Sequence, residues 1–275
     1  MLPILFRFSL RGTEIAVGAY STFMVLAWIA TVAIGMAVSA RRGIPVRKAL
    51  AVFAASLVAA LIGGRLLDIL TVGGASVESA VRLWTLTFQG FSLYGALVFG
   101  ALTALAMARG LGLPAWRLAD SGTPALAVGI ALMRVGCFLR GCCYGVPTSL
   151  PWGVTFPAGS LAWAQQMLSG STGILGGMMG EVLPVHPTQL YELAAALAIG
   201  GLSIALMRQR ELPDGVAFLA SAITFTLFRI GNGLLRPPEP VPLVGGWFYP
   251  TMYATILIAL GALLVWRLRA AKRVS

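Results

Sequence analysis

Long apolar stretches alternate with short polar segments along the whole chain. Seven of these stretches are long or apolar enough to cross a bilayer, which takes roughly 20 residues of helix. The pattern predicts spans that begin near Ile15, Ala49, Leu83, Ser121, Leu190, Val216 and Trp247. We therefore expect an all-α integral membrane protein that forms a single polytopic domain over residues 1–275. The first span is too long for the core of a signal peptide and is expected to remain as a helix.

Composition and charge support this prediction. The chain is 58% hydrophobic and 11% charged, and its formal net charge is +11. Most of the basic residues follow odd-numbered spans, as in cytoplasmic loops. Twelve of the 20 lysine and arginine residues do so: Arg41, Arg42, Arg47, Lys48, Arg109, Arg117, Arg208, Arg210, Arg267, Arg269, Lys272 and Arg273. The N-terminus is thus predicted outside and the C-terminus in the cytoplasm, with membrane lipid and not nucleic acid as the partner of the basic residues.

A polar segment separates the fourth and fifth spans. Residues 141–186 are rich in glycine, serine and proline, and no lysine or arginine occurs up to Val185. We expect an extracytoplasmic head or lid here, with a short interfacial helix over residues 161–168. Its aromatic residues are suited to anchoring at the membrane surface or to docking an acceptor from outside.

Three arginines lie near the outer ends of the even-numbered spans. Arg65, Arg134 and Arg229 are expected at one depth, where a charged side chain costs ~1–3 kcal/mol unless it is paired or hydrated. Arg65 has Asp68 one helical turn away and could also extend to the headgroups. Arg134 and Arg229 have no acidic residue within a turn. Uncompensated guanidinium groups at this depth predict a receptor for an anion, most naturally a phospholipid headgroup.

The odd-numbered spans bring polar side chains to the same level. These are Tyr20 in the first span, Tyr94 at the entry to the third, and His186, Gln189 and Glu192 in HPTQLYE at the entry to the fifth. Gln189 and Glu192 fall on one face of the helix that Pro187 can begin. His186, taken alone, is typical of a turn. We expect these groups to converge with the arginines on one outward-facing chamber.

All three cysteines follow Arg134 within 10 residues. They are Cys137, Cys142 and Cys143 in RVGCFLRGCCYG. Four interpretations remain open. The thiols could bind a metal with the distant His186, form a disulfide on an oxidising outer side, provide a thiolate stabilised by Arg134 or Arg140, or simply line a headgroup pocket.

These segments together resemble bacterial prolipoprotein diacylglyceryl transferases over most of the chain. The matching segments are GGRL at 63–66, FQGFSLYG at 88–95, RVGCFLRG at 134–141, YG at 144–145, WGVTFP at 152–157, HPTQLYE at 186–192 and FRIGNGLLRPP at 228–238. HPTQLYE is the most specific of them. The resemblance implies about seven spans with an external head between the fourth and fifth.

The resemblance also implies a function. Such enzymes of the bacterial plasma membrane transfer the diacylglyceryl group of phosphatidylglycerol to the cysteine thiol of a lipoprotein precursor, which carries a lipobox, and release glycerol phosphate. No cofactor or metal ligand is implied. Arg134 and Arg229 would be catalytic by holding the phosphate, with Tyr94 orienting the reactants. The residues implied in substrate binding are Tyr20, Arg65, Cys137, Cys142, His186, Gln189, Tyr191 and Arg236.

Four positions depart from the family pattern. Tyr94 precedes Gly95 where the family has histidine, and Cys137, Cys142 and Gly233 stand where the family has asparagine and two glutamates. A related lipid-headgroup transferase with a different acceptor is therefore one alternative. A non-catalytic anion- or lipid-binding membrane protein is another. As a transporter it would need a second polar gate toward the cytoplasm, where Asp120 is the one polar exception among the apolar inner halves of the spans.

Overall fold

The computed structural model of the chain describes residues 2, 4–10, 13–69, 92–169, 182–237 and 248–272. Two strands pair antiparallel at the start of the chain and eight helices follow in the described part. The strands are β1 (Ile4–Leu10) and β2 (Thr13–Gly18). The helices are α1 (Ala19–Arg41), α2 (Val46–Asp68), α3 (Leu93–Gly110), α4 (Ala115–Arg140), α5 (Leu161–Leu168), α6 (Thr188–Arg208), α7 (Val216–Leu234) and α8 (Phe248–Lys272).

Six of these helices are long and apolar enough to cross a membrane. They are α1, α2, α4, α6, α7 and residues 250–272 of α8. The chain is thus a multi-pass membrane protein with a helical membrane part, as the sequence predicts. The described part of the third predicted span is the shorter apolar helix α3. Its expected start near Leu83 lies outside the described residues, so a count of seven remains a prediction.

The first span begins at Ala19 and not near Ile15, because residues 13–18 form a strand. In β1 the apolar residues Phe6 and Phe8 alternate with Arg7 and Ser9, which is the period of a strand and not of a helix. The rings of Phe6 and Phe8 stack with their centroids 6.2 Å apart. The expectation of a purely helical protein is therefore corrected by one hairpin before α1.

The chain divides into two compact units. The first unit comprises residues 1–27, 127–199 and 227–238, and the second comprises residues 28–126, 200–226 and 239–275. In the first unit, the described part of the head segment forms a small core of Tyr144, Phe156, Ala162 and Val185. The side-chain amide of Gln166 pairs with both backbone groups of Leu183, at 3.0 Å and 2.8 Å. The short helix predicted over residues 161–168 is present as α5.

In the second unit, α2 and α3 cross at two glycines. A Cβ atom on Gly95 would lie 2.2 Å from the carbonyl oxygen of Gly63, and one on Gly63 would lie 2.4 Å from the side chain of Phe99. The two backbones therefore approach without a side chain between them, which is typical of helix pairs in membranes.

A buried carboxylate in the second unit caps the start of α7. Asp120 accepts hydrogen bonds from the backbone N–H groups of Gly215 at 2.7 Å and Phe218 at 2.9 Å. These are groups that a helix leaves without partners at its first turn. Arg42 pairs with Asp120 at 3.2 Å and with Asp214 at 2.6 Å. Asp120 is thus a structural residue that joins α4 to the first turn of α7.

Replacing Gly95 by alanine should destabilise the protein. The added methyl group would overlap a backbone oxygen, so the helices must separate, at a cost of about 1–3 kcal/mol. We expect the apparent Tm in detergent to fall by roughly 3–10 °C. Gly110→Ala is the matched control, because nothing lies within 4 Å of the position of its Cβ at the end of the same helix. Equal Tm values for the two variants would contradict the close crossing.

Candidate active site

One carboxylate, that of Glu192, lies at the centre of the polar interior of the first unit. It is fully buried on the first turns of α6. Its Oε1 accepts from Nη2 of Arg134 at 2.7 Å, and its Oε2 accepts from Nη1 of Arg229 at 2.8 Å and from Nη2 of Arg236 at 3.1 Å. Nδ2 of Asn232 approaches Oε2 to 3.5 Å. Three guanidinium groups therefore share this carboxylate.

The prediction that Arg134 and Arg229 are uncompensated is wrong. Both contact Glu192, which is 58 and 37 residues away in the chain, so no search within a helical turn could find it. The compensation is nevertheless partial. The only other acidic side chain among the described residues of the first unit is Glu14, which is exposed in the hairpin. Within the described part of the first unit, three guanidinium groups thus meet one buried carboxylate, an arrangement that favours a bound anion.

Two of the arginines also keep buried donors without an acceptor. Nε of Arg134 and Nε of Arg236 have no hydrogen-bond partner among the described residues. Leaving a buried donor unsatisfied costs about 1–3 kcal/mol, more for a charged group. Burial lowers the pKa of Arg236, and repulsion from Arg134 and Arg229 lowers it further. An anion with several oxygen atoms would satisfy the donors and relieve the repulsion.

The end of α7 and the turn after it deliver two of the three arginines. Arg229 and Asn232 lie one helical turn apart on α7, and Arg236 follows in the turn, where its N–H donates to the carbonyl of Gly233 at 3.1 Å. The carbonyl of Leu235 accepts from the N–H of Val146 at 2.8 Å. The turn that carries Arg236 is thus tied to the loop after α4.

Cys137 lies in the last turn of α4, and Cys142 and Cys143 lie in the tight turn that follows the helix. Gly141 (φ 75°) and Cys143 (φ 61°) adopt left-handed conformations. The three sulfur atoms lie within 4.8 Å of one another. The first turn of α6 holds this turn: Oγ1 of Thr188 donates to the carbonyl of Cys143 at 2.6 Å, and Nε2 of Gln189 donates to that of Cys142 at 2.7 Å.

The three thiols are free in the structure, with Cys137 buried, Cys142 partly buried and Cys143 exposed. Nη1 of Arg134 lies 3.7 Å from Sγ of Cys137. Hydrogen bonds from the other two thiols lower the pKa of Cys143, and Arg134 and Arg236 lower it further by their charge. The same contacts raise the pKa of Cys142. The turn therefore favours one thiolate, at Cys143.

The remaining predicted residues of the first unit contact other groups. Nδ1 of His186 lies 3.2 Å from the hydroxyl of Tyr191, which accepts from Nε1 of Trp152 at 2.8 Å. The guanidinium of Arg140 lies 5.2 Å from the ring centroid of Tyr20, within the range of a cation–π contact. His186 does not belong to the group of three sulfurs.

Two predicted residues belong to the second unit. Arg65 lies on α2, and Tyr94 lies in the first turn of α3, where its side chain is outside the described part of the structure. Their place in the site therefore stays a prediction. In contrast, Thr188 and Asn232 were not predicted, and Glu192 was expected in the chamber but without a role in catalysis or binding. The sequence signal for Glu192 was present, since it shares a helix face with Gln189 and is the one acidic residue of HPTQLYE.

A comparison with known families connects this geometry to an enzyme. The model of the family described as "Prolipoprotein diacylglyceryl transferase" matches residues 4–267. The chain belongs to this family.

Curated relatives bear similar names. The chain is 30% identical over 226 residues to the phosphatidylglycerol–prolipoprotein diacylglyceryl transferase of Geobacter sulfurreducens, covering 80% of this chain and 78% of the relative. It is 26% identical to phosphatidylglycerol–prolipoprotein diacylglyceryl transferase 2 of Clostridium perfringens, covering 79% and 77%. It is 31% identical to the corresponding protein of Thermus thermophilus, covering 63% of each chain.

Replacing Glu192 by glutamine should weaken the whole network. Removal of its charge leaves three buried guanidinium groups without their shared anion, which should destabilise the fold by about 3–5 kcal/mol. The apparent Tm in detergent measures the effect. The exposed residue Glu211 offers a control, since Glu211→Gln removes the same charge at the surface. A Glu192→Gln protein as stable as Glu211→Gln would show that the carboxylate does not hold the arginines together.

Proposed function

We propose that this protein transfers the diacylglyceryl group of phosphatidylglycerol to the cysteine thiol of a lipoprotein precursor and releases glycerol phosphate. The observation that carries the proposal is the meeting of the guanidinium groups of Arg134, Arg229 and Arg236 at the buried carboxylate of Glu192. Nε of Arg134 and Nε of Arg236 still lack an acceptor among the described residues. The names of the relatives supply both substrates.

The arginines suit the charge that develops in this reaction. The acceptor sulfur attacks the glycerol C3 carbon of the diacylglyceryl group, and the bond from this carbon to the phosphate oxygen breaks. The electron pair remains on that oxygen, the thiol proton leaves to water, and the phosphate changes from a monoanion to a dianion. Guanidinium groups fixed in place before the reaction stabilise the additional charge without reorganisation. Arg134 and Arg229 are the catalytic residues in this proposal, and Arg236 binds the headgroup.

Glu192 acts as a positioning residue. It keeps three mutually repelling guanidinium groups within reach of one phosphate and uses only part of their donors, because each guanidinium has five N–H groups. Gln189 is fully buried, and its amide holds the carbonyl of Cys142. We therefore assign Gln189 to positioning the cysteine turn and not to direct contact with the lipid.

We also propose the orientation that the charge pattern predicts. Residues 141–186 and the N-terminus lie on the outer side of the bacterial plasma membrane, and the C-terminus lies in the cytoplasm. α3 belongs to a seventh span in this arrangement. Support comes from the second unit, where Asp214 contacts Arg42, Arg117 and Arg267, three residues that the sequence assigns to the same side.

The non-catalytic alternative has less support. An anion transporter needs a second polar gate, for which Asp120 is the sequence candidate. Its carboxylate oxygens are engaged by Arg42 and by two backbone N–H groups of the first turn of α7. This residue is part of the scaffold.

Replacing Arg134 by lysine should abolish most of the transfer. An ammonium group keeps the charge but loses the planar set of donors that binds phosphate oxygens. We expect kcat for glycerol phosphate release from phosphatidylglycerol, with a lipobox peptide as acceptor, to fall about 100- to 1000-fold. Arg208→Lys at the exposed end of α6 is the control.

Full activity of Arg134→Lys would remove this residue from the mechanism. Complementation of a bacterial strain depleted of its diacylglyceryl transferase tests the acceptor. If the protein turns over phosphatidylglycerol but does not restore lipoprotein modification, the acceptor named in the proposal is wrong.

A further inference from the structure

The turn that carries Cys142 and Cys143 is strained, yet it brings their sulfur atoms close to that of Cys137. A left-handed conformation costs a residue with a side chain roughly 1–2 kcal/mol, and Cys143 adopts it with φ 61°. The bonds from Thr188 and Gln189 to the carbonyls of Cys143 and Cys142 maintain the turn. Strained backbone conformations cluster at functional sites, where a particular arrangement of side chains is needed. The convergence of the thiols therefore needs an explanation beyond packing.

The spacing of the sulfur atoms suits one metal ion. They lie within 4.8 Å of one another. In a tetrahedral site with Zn–S bonds of about 2.3 Å the sulfur atoms are about 3.8 Å apart. Small rotations of the three side chains would shorten the sulfur-to-sulfur distances to those of a tetrahedral zinc site. Three protein ligands with a fourth position open for a substrate is the arrangement of a catalytic zinc site.

Thiolates are the metal-binding form of cysteine, and a bound zinc ion itself displaces the proton of each coordinating thiol. Arg134 lies 3.7 Å from Sγ of Cys137, and Arg236 belongs to the same cationic network. A zinc ion with three thiolates carries one net negative charge. It would offset part of the excess positive charge that Glu192 leaves around the arginines.

The thiols run from the interior to the surface. Cys137 is buried, Cys142 is partly buried and Cys143 is exposed. The open side of the group therefore lies at the surface of the first unit, where an acceptor chain can reach it. The buried carboxylate of Glu192 binds three arginines, so it is not available to deprotonate an acceptor.

We propose that Cys137, Cys142 and Cys143 bind one zinc ion, whose fourth ligand is the sulfur of the acceptor cysteine. The identity of the acceptor rests on the proposed function. Zinc displaces the thiol proton, which passes to water, and holds the sulfur as a thiolate. This sulfur forms its bond to the glycerol C3 carbon as the carbon–oxygen bond breaks, and the electron pair leaves with glycerol phosphate. The product is a neutral thioether, a weak ligand that dissociates and leaves the zinc with its three thiolates.

The metal would increase the ionised fraction of the acceptor thiol. An ordinary thiol with a pKa near 8.5 is only about 3% ionised at pH 7. A thiol held on zinc is fully ionised, so loss of the metal should reduce the rate at pH 7 about 30-fold. The deficit should shrink as the pH rises toward the pKa of the free acceptor, where the metal-free protein recovers a thiolate without help. The protein with its metal should show no such rise.

Elemental analysis of the full chain, purified in detergent with a reducing agent, tests the site directly. We expect about one zinc per chain, and much less in Cys143→Ser, the variant that changes the exposed ligand. Arg134→Lys is the matched control, because it should lose transfer but retain zinc. Removal of zinc by a chelator should lower transfer about 30-fold at pH 7, and added zinc should restore it.

Cobalt substitution tests the open position. The sulfur-to-cobalt absorption should change when a lipobox peptide with cysteine is added, and should not change with the same peptide carrying serine. Protein that remains metal-free after incubation with zinc, a disulfide that leaves a single reactive thiol, or transfer that resists chelation would each overturn the zinc proposal and leave the transferase proposal standing. Zinc binding with the cobalt response but without glycerol phosphate release would instead contradict the proposed function.

Discussion

The buried carboxylate of Glu192 is the contact on which the first unit depends. Guanidinium groups from α4, from α7 and from the turn after α7 converge on its two oxygens. Without an anion between them, these groups would repel one another in an interior that screens charge poorly. The carboxylate therefore permits the close approach of the arginines but does not neutralise them. In the proposed function, the donors that the carboxylate leaves unused bind the phosphate of the lipid.

The same network links the phosphate site to the cysteine turn. Arg134 donates both to Glu192 and toward the sulfur of Cys137, while the residues next to Glu192 in HPTQLYE hold the carbonyls of Cys142 and Cys143. In the proposed reaction one group receives the leaving phosphate and the other receives the acceptor sulfur. The group that binds the leaving phosphate and the group that binds the attacking sulfur would then be held in place by the same contacts.

Sequence patterns predicted the structural features that depend on neighbouring residues in the chain. The apolar lengths predicted the helices that can cross a membrane, and the composition of residues 141–186 predicted the short helix α5. They missed the hairpin because its six-residue strand β2 runs directly into the apolar α1. The ordered motifs predicted the family, which the match over residues 4–267 confirms.

What the sequence could not show is contact between distant positions. Glu192 was assigned to the correct helix face, but its pairing with arginines 58 and 37 residues away is a product of the fold. The cysteine spacing likewise left four interpretations open, because convergence of the thiols depends on the left-handed Cys143 and on two hydrogen bonds from another helix. The functional roles of Tyr20, Arg65 and Tyr94 remain predictions.

The hydrogen bonds from α6 to the cysteine turn have a consequence for protein engineering. The side chains that shape the turn, Thr188 and Gln189, lie some 45 positions downstream of the thiols they arrange. If the cysteine segment alone were grafted into another helical scaffold, it would lack the α6 residues that hold its backbone in the conformation that brings the sulfur atoms together. The transplantable unit is the pair of segments, and a designer would have to import both.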